Sequence, residues 1–477
     1  MLLITDGKDN QTPRSSIDMI KEPPMIVHEA IERYHDLLDD QRAVDNFALL
    51  DEKMQNRHLA FGGRPLCTVL RPHFLTPAEY AAMKRACETI LAACARLFEA
   101  MVERPELREE VGLTALEEQA FAIDPGYRTP SPTGRLDSFL THEPSGPPTI
   151  HFVEYNAETP AGAGYEDVLG GAFFELPLMH EFQKQYQVTM IPVRQRVLQT
   201  LLAMHREAGG RTPPTIGIVD WADVPTTNEF EIFDEYFAEQ GYDAFITAPE
   251  RMAYDGKVLR GDGKRIDIIY KRVLGSELLQ RYGLDHPIIH ALRDGNVTMV
   301  NPFRCKVLHK KMSFALLSDE RHTALYSAEQ QAAIAAHVPW TRKVEPRKTR
   351  LEGKEIDLLQ YAVDHREEFV LKPNDEYGGE GVVIGWESSA EEWDAALQKG
   401  LREPTVLQRK VKIAREDYPS VVNGKLDISE RLVDLDPYLF DGVEMEGMLT
   451  RLAATTLLNV TAGGGSVTPS FLIEARN

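Results

Sequence analysis

F-V-L-K-P-N-D-E-Y-G-G-E-G-V-V-I-G-W, Phe369 to Trp386, is the stretch on which the reading of this chain turns. Two apolar, β-branched runs, Phe369 to Leu371 and Val382 to Ile384, flank a turn holding Gly378, Gly379 and Gly381. That is the pattern of a hairpin with a glycine tip. Lys372 ends the first run six residues before the paired glycines. It sets an ammonium beside backbone N–H groups that can turn toward one anion, the geometry phosphate needs. Glycine suits the tip because φ > 0 and close approach of a bulky polyanion both exclude a Cβ. By itself the stretch also reads as a tight hairpin with a solvated lysine, so other segments have to decide.

The chain has 477 residues, 43% hydrophobic and 27% charged. This is enough for two or three domains with substantial cores in a soluble globular protein. A net charge of −21 repels nucleic acid and anionic membranes, which sets polynucleotide aside as a partner. The start M-L-L-I-T-D-G-K-D-N has no basic region ahead of a long apolar run, and no apolar stretch approaches bilayer length. The expectation is a cytoplasmic chain without membrane contact. Cys67, Cys87, Cys94 and Cys305 form no CxxC pair and no Cys/His cluster at zinc spacing, and are expected as core residues.

Residues 1 to about 25, with Pro13, Pro23 and Pro24, read as a poorly ordered arm. Helical patterns follow from about 26 to 58. The clearest helix runs from Thr76 to Arg104, with a Thr76/Glu79 capping box, Pro77 at its first position and apolar residues from Met83 to Met101 at helix period. A Pro/Gly/Ser-rich stretch between Asp124 and Pro148 leads to the strand T-I-H-F-V-E-Y-N. Glu154 and Asn156 project to one face at its end, and a carboxylate beside an amide oxygen suits Mg²⁺ shared with nucleotide phosphates. From Thr215 the pattern becomes that of a small open α/β domain, with Thr227 as the N-cap of a helix over Asn228 to Gln240. Ligands of such domains lie outside the carboxyl ends of the strands, here near Asp220, Thr226, Thr227 and Asn228.

Lys306 and Lys310, four apart, should share a helical face. The basic connector T-R-K-V-E-P-R-K-T-R reads as a solvated linker leading to a helix from about Lys354 to His365. E-P-T-V-L-Q-R-K-V-K-I is a strand, and Gly463 to Ser466 is a second backbone cradle in which Gly464 and Gly465 would meet substrate.

Lys372-Pro373 with Glu376 and the glycines resembles the K-P-x-x-E-G-G-G run of eukaryotic-type glutathione synthetases. Glu154-x-Asn156 resembles the metal pair of ATP-grasp enzymes, but precedes the glycine run by roughly two hundred residues. That order, with V-E-Y-N-A-E-T-P-A-G and N-E-F-E-I-F-D-E-Y-F, resembles the circularly permuted ATP-grasp group, which includes glutathionylspermidine-synthase-like proteins. The resemblance covers about residues 120 to 477. It implies an α/β (α+β) fold, circularly permuted ATP-grasp, with a small open α/β substrate domain and a glycine-loop lid. The expected divisions are 1–120, an arm and helical region; 121–210, the first part of the core; 211–300, the substrate domain; 301–412, the lid-bearing domain; and 413–477, the rest of the core.

The activity implied is ATP-dependent ligation of a small carboxylate to an amine. Lys372 and either Lys306 or Lys310 would meet the phosphates under Gly378, Gly379 and Gly381. The backbone from Gln408 to Val411 would meet adenine, and Arg451 would sit over the reacting carboxyl group. Glu154, Asn156 and Glu376 would hold Mg²⁺, although Tyr377 stands where the family run has glycine, which puts Glu376 in question. A kinase or a catalytically silent nucleotide-binding partner are the alternatives. The sequence names neither the acid nor the amine, and oligomeric state is not legible in it.

Overall fold

The computed structural model describes residues 25–142, 148–376, 378–454 and 465–476. The expected N-terminal arm (1–24), Tyr377 and Gly464 lie outside the described residues. The Thr76 side chain accepts from the Glu79 N–H while the Glu79 carboxylate accepts from the Thr76 N–H. This capping box, with Pro77, starts a helix over Pro77–Glu103 whose buried stripe includes Met83, Cys87, Ile90, Leu91, Cys94, Leu97, Phe98 and Met101. The 26–58 pattern resolves into two helices, Met25–Asp36 and Asp40–Gln55. All four cysteines are buried and unpaired. No helix of the described residues is long and apolar enough to cross a membrane.

The long helix packs on a six-stranded antiparallel sheet. Its order is Gly465–Thr468, Glu444–Ala453, Lys425–Phe440, Thr133–Thr141, Thr149–Asn156, with Ala414–Val422 pairing along the first half of Lys425–Phe440. Thr133–Thr141 corrects the sequence reading, which left the 124–148 stretch without a strand. The run T-G-R-L-D-S-F-L-T shows no apolar alternation, and its place between two strands of the sheet, buried on both faces, holds it extended. A second sheet, in the order Thr298–Val300, Ile268–Lys271, Thr215–Val219, Asp243–Thr247, is parallel throughout and is the expected small α/β unit. Ser470–Ala475 pairs with both His73–Leu75 and Tyr186–Met190, tying the end of the chain to its first half.

The opening stretch is a hairpin: Phe369–Pro373 pairs antiparallel with Val383–Ile384 in a sheet completed by Thr405–Arg409 and Thr341–Lys343. Gly378, Gly379 and Gly381 all have positive φ, the conformation that requires glycine. Beyond the tip, a Cβ on Gly385 would lie 1.8 Å from the Arg366 carbonyl oxygen. Gly385→Ala should therefore destabilise the chain by about 1–3 kcal/mol, read as a lower urea midpoint.

Three expectations are corrected here. The basic connector is not a solvated linker: Thr341–Lys343 is a sheet strand, Arg342 is buried, and Arg347 holds Asp319 at 2.6 Å. The buried carboxylate of Asp319 and the half-buried one of Glu320 draw the basic run inward. The helix expected from Lys354 begins at Leu358, because Lys354–Asp357 forms a hairpin strand with Lys348–Leu351 across the Gly353 turn. Gly465 and Ser466 lie not in a cradle but in a ladder strand opposite Ala453 and Leu452.

Candidate active site

Four adjacent strands of the large sheet carry a row of charged side chains. Arg135 lies opposite Asn156, Asp137 opposite Glu154, and Asp434 opposite Arg451. Asp434 and Asp436, two apart, share one face of their strand. The Arg451 guanidinium reaches Asp434 Oδ2 at 2.6 Å, Asp137 Oδ2 at 2.7 Å and Asp436 Oδ2 at 2.8 Å. Asp137 Oδ1 also accepts from Asn156 Nδ2 at 2.7 Å and Arg135 Nε at 3.0 Å. Burial pushes the Asp137 carboxyl up, but Arg135 and Arg451 outweigh it and hold it well below the usual carboxylate range. Burial prevails at Asp434 and Asp436, whose carboxyls are raised despite Arg451.

The hairpin sheet meets the end of this row. Lys372 Nζ donates to the Val153 carbonyl at 3.4 Å, and Gln408 Nε2 donates to the same oxygen at 3.1 Å. Lys372, Val370, Val406 and Gln408 share a sheet face, since Lys372 pairs with Val406 and Val370 with Gln408. Lys311 Nζ stands 3.4 Å from Glu154 Oε2 and donates to the Glu376 carbonyl at 2.6 Å. Burial lowers the Lys372 ammonium to about 8, with Glu154 opposing in part. The Glu154 carboxyl is raised by burial, but Lys311 and Lys372 hold it below its ordinary value.

Lys306 and Lys310 do not extend one helical face toward this cleft. The helix Lys306–His309 ends at Lys310, whose backbone is extended, and a new helix begins at Met312. Lys306 pairs with Asp375 at 2.6 Å and Glu158 at 3.3 Å; Lys310 pairs with Glu117 at 3.0 Å and Asp375 at 3.2 Å. The break turns the next residue, Lys311, to Glu154.

Glu158 is the centre of a buried network behind the site. It accepts from Lys271 Nζ at 2.8 Å and the Gly275 N–H at 2.6 Å, and so joins the loop after Asn156 to the parallel sheet. Glu229 does the same one turn on, accepting from the Gly162 and Gly164 N–H groups and from Arg272.

The residues expected near substrate make the following contacts within the protein. The N-cap is Thr226, not Thr227, whose hydroxyl donates to the Val224 carbonyl and draws it into the first turn. Asn228 Nδ2 donates to the Ala60 carbonyl. Asp220 accepts from the Trp221 N–H, and burial raises its carboxyl to about 6. None of these contacts reaches Glu154, Asn156 or Lys372.

Among the described residues no group of three or more His, Cys, Asp or Glu side chains is arranged to hold a metal ion. Glu376 is exposed on the hairpin. Glu154 and Asn156 nonetheless offer a carboxylate and an amide oxygen side by side, the amide nitrogen being engaged by Asp137. That donor set, completed by water and phosphate, fits Mg²⁺.

No family model matches the chain. A glutathione synthetase-like effector from Globodera pallida, solved in its apo form, superposes with a TM-score of 0.60 over 91% of this chain and 98% of that one, at 11% identity. The two share a fold. A Frankia alni protein named "Putative glutamate--cysteine ligase 2-3" is 25% identical over 216 residues, which are 43% of this chain and 23% of that protein. An uncharacterized protein of Mycobacterium tuberculosis is 27% identical over 220 residues, 43% of this chain and 36% of that one. The chain thus spans 23% and 36% of these two relatives' length.

Proposed function

We propose that the protein is an ATP- and Mg²⁺-dependent carboxylate–amine ligase of the circularly permuted ATP-grasp kind, forming ADP and a C–N bond through an acyl phosphate. Its substrates are a small amino-acid- or peptide-like carboxylate and an amine. One observation carries this reading: Glu154, Asn156, Lys311 and Lys372 converge between the charged row of the large sheet and the glycine hairpin. The shared fold and the ligase name of a distant relative support it. In this reading 121–210 and 413–477 form the core, 211–300 the substrate domain and 301–412 the lid-bearing domain, in the cytoplasm.

Lys372 and Lys311 balance the charge of the triphosphate as its terminal phosphoryl group meets the substrate carboxylate. Glu154 and Asn156 would hold Mg²⁺, which when bound neutralises phosphate oxygens. Gly378, Gly379 and Gly381 let hairpin N–H groups approach the phosphates and shut water away from the acyl phosphate. The backbone from Gln408 to Val411 meets the base. Arg451, oriented by Asp137, Asp434 and Asp436, faces the oxyanion formed as the amine attacks.

The test is ADP release against pooled carboxylates and amines. Release that needs one member of each pool supports a ligase. A phosphorylated product formed without amine contradicts it and makes the protein a kinase, and ATP binding with no turnover on any pool makes it a silent partner.

A pH dependence follows. The Lys372 ammonium titrates near 8 in the free protein, and a polyanion raises that value. Nucleotide binding then takes up a proton above pH 8, and affinity falls as pH rises through the free value, by up to about tenfold per pH unit. Calorimetry in buffers of different ionisation enthalpy reads the uptake. Affinity constant from pH 7 to 9.5 would remove Lys372 from the phosphate site.

A further inference from the structure

The first limb of the glycine hairpin carries an acid just beyond its anchored root. Asn374 pins that root: its N–H donates to the Pro404 carbonyl at 3.0 Å, its Nδ2 to the Val111 carbonyl at 2.7 Å, and its Oδ1 accepts from the Met312 N–H at 2.9 Å. The next two residues, Asp375 and Glu376, run along Lys306, Lys310 and Lys311. Asp375 Oδ1 lies 2.6 Å from Lys306 Nζ and its Oδ2 lies 3.2 Å from Lys310 Nζ, while the Glu376 carbonyl accepts from Lys311 Nζ at 2.6 Å. The hairpin thus gives each of the three ammoniums an oxygen, at the end of the cleft where Lys311 meets Glu154.

Behind Asp375 the charges balance. Glu158 faces Lys271 and Lys306, and Glu117 faces Lys310, so with Asp375 three carboxylates meet three ammoniums. Asp375 is the outermost of the six: its side chain is 26% exposed, against 6% for Lys306 and 4% for Lys310. Burial raises its carboxyl, but Lys306 and Lys310 hold it below its ordinary value. Taking Asp375 out of the set leaves one buried positive charge in excess, which an anion arriving from the cleft would balance in its place.

We propose that Asp375 and the Glu376 carbonyl are an internal stand-in for the nucleotide's phosphates, an autoinhibitory contact that ATP displaces from Lys306, Lys310 and Lys311. The inference rests on the ligase reading for the identity of the incoming anion. In the exchange the hairpin pivots beyond Asn374, phosphate oxygens take the positions of the carboxylate and the carbonyl, and the glycine tip stays above them. The affinity of the parent chain is lowered by the fraction of molecules in which Asp375 still holds the lysines.

The test is calorimetric titration of ATP with Mg²⁺ into the full chain. Asp375→Asn, which keeps the shape and removes the charge, is expected to bind at least about fivefold more tightly than the parent. Glu380→Gln removes the same charge from an exposed position on the same hairpin and should bind as the parent does, which separates the contact from a general loss of repulsion. Adding Lys306→Gln to Asp375→Asn should cancel the gain. Inorganic tripolyphosphate in place of ATP should give the same order, because only the phosphates meet these lysines. If the parent binds ATP and Asp375→Asn binds it no more tightly, or if Glu380→Gln gains as much, the nucleotide site stands and the autoinhibitory contact falls. If neither the parent nor Asp375→Asn binds ATP, both fall. An Asp375→Asn chain that does not fold even with nucleotide present also overturns the inference, since a contact that ATP displaces is not one the bound fold requires.

Discussion

Lys372→Ala is expected to lower ATP-dependent turnover by about 10²–10³-fold while leaving the urea midpoint nearly unchanged. The asymmetry comes from the contacts. In the free protein Lys372 makes one long hydrogen bond, 3.4 Å to the Val153 carbonyl, so its loss removes little from the folded state. In the proposed complex its ammonium is desolvated beside the phosphates, where a charge interaction is worth far more than at the surface. ATP binding weakens as well, because the same charge acts before the phosphoryl group moves. A coupled ADP assay on the parent and the variant reads the effect. Undiminished ADP release from Lys372→Ala would remove the lysine from the mechanism and the hairpin from its role as a phosphate cover.

The second large effect is on stability. Glu158→Ala strands one cation and weakens the pairing of a second: Lys271, 1% exposed, loses its ion-pair partner, and Lys306, 5% exposed, keeps only Asp375. Removing one partner from a buried ion pair costs about 3–5 kcal/mol, because the uncompensated charge stays in a low-dielectric interior. The Gly275 N–H also loses its acceptor. Glu158→Gln, which keeps the shape and an acceptor oxygen, should lose less. Chemical denaturation of both variants measures the difference. A loss under about 1 kcal/mol for the alanine variant would mean that the lysines move to solvent, and that Glu158 does not tie the loop after Asn156 to the parallel sheet.

What could be read in the sequence was set by local rules. Thr76, Pro77 and Glu79 start a helix by hydrogen bonds that close within one turn, so the helix was legible to within a residue. The glycine hairpin was legible because positive φ at three nearby positions has few other causes. Glu154 and Asn156 were legible as a pair because strand alternation puts them on one face.

The partners of that pair were less so. Asp137 sits on a strand hidden in a proline- and glycine-rich stretch, and is brought opposite Glu154 by pairing between strands. Asp434 and Asp436 did carry a signal, two carboxylates two apart in the buried, mostly apolar half of their strand from Leu432 to Phe440, but only the Arg451 strand beside them gives it meaning. Lys311 was passed over for Lys306 and Lys310 because helical spacing was assumed to run on, whereas the extended backbone at Lys310 breaks it. The basic connector misled for a similar reason. Charge runs are usually solvated, and the acids that internalise this one, buried Asp319 and half-buried Glu320, lie more than twenty residues earlier.

The most direct test of the nucleotide site is isothermal titration of ATP into the parent chain and Glu154→Ala, each with and without Mg²⁺. Saturable binding that Mg²⁺ strengthens in the parent, and a Mg²⁺ effect lost in Glu154→Ala, is the predicted result. No binding by the parent, or a Mg²⁺ effect that persists in Glu154→Ala, would contradict the assignment of this cleft to ATP and the metal ion.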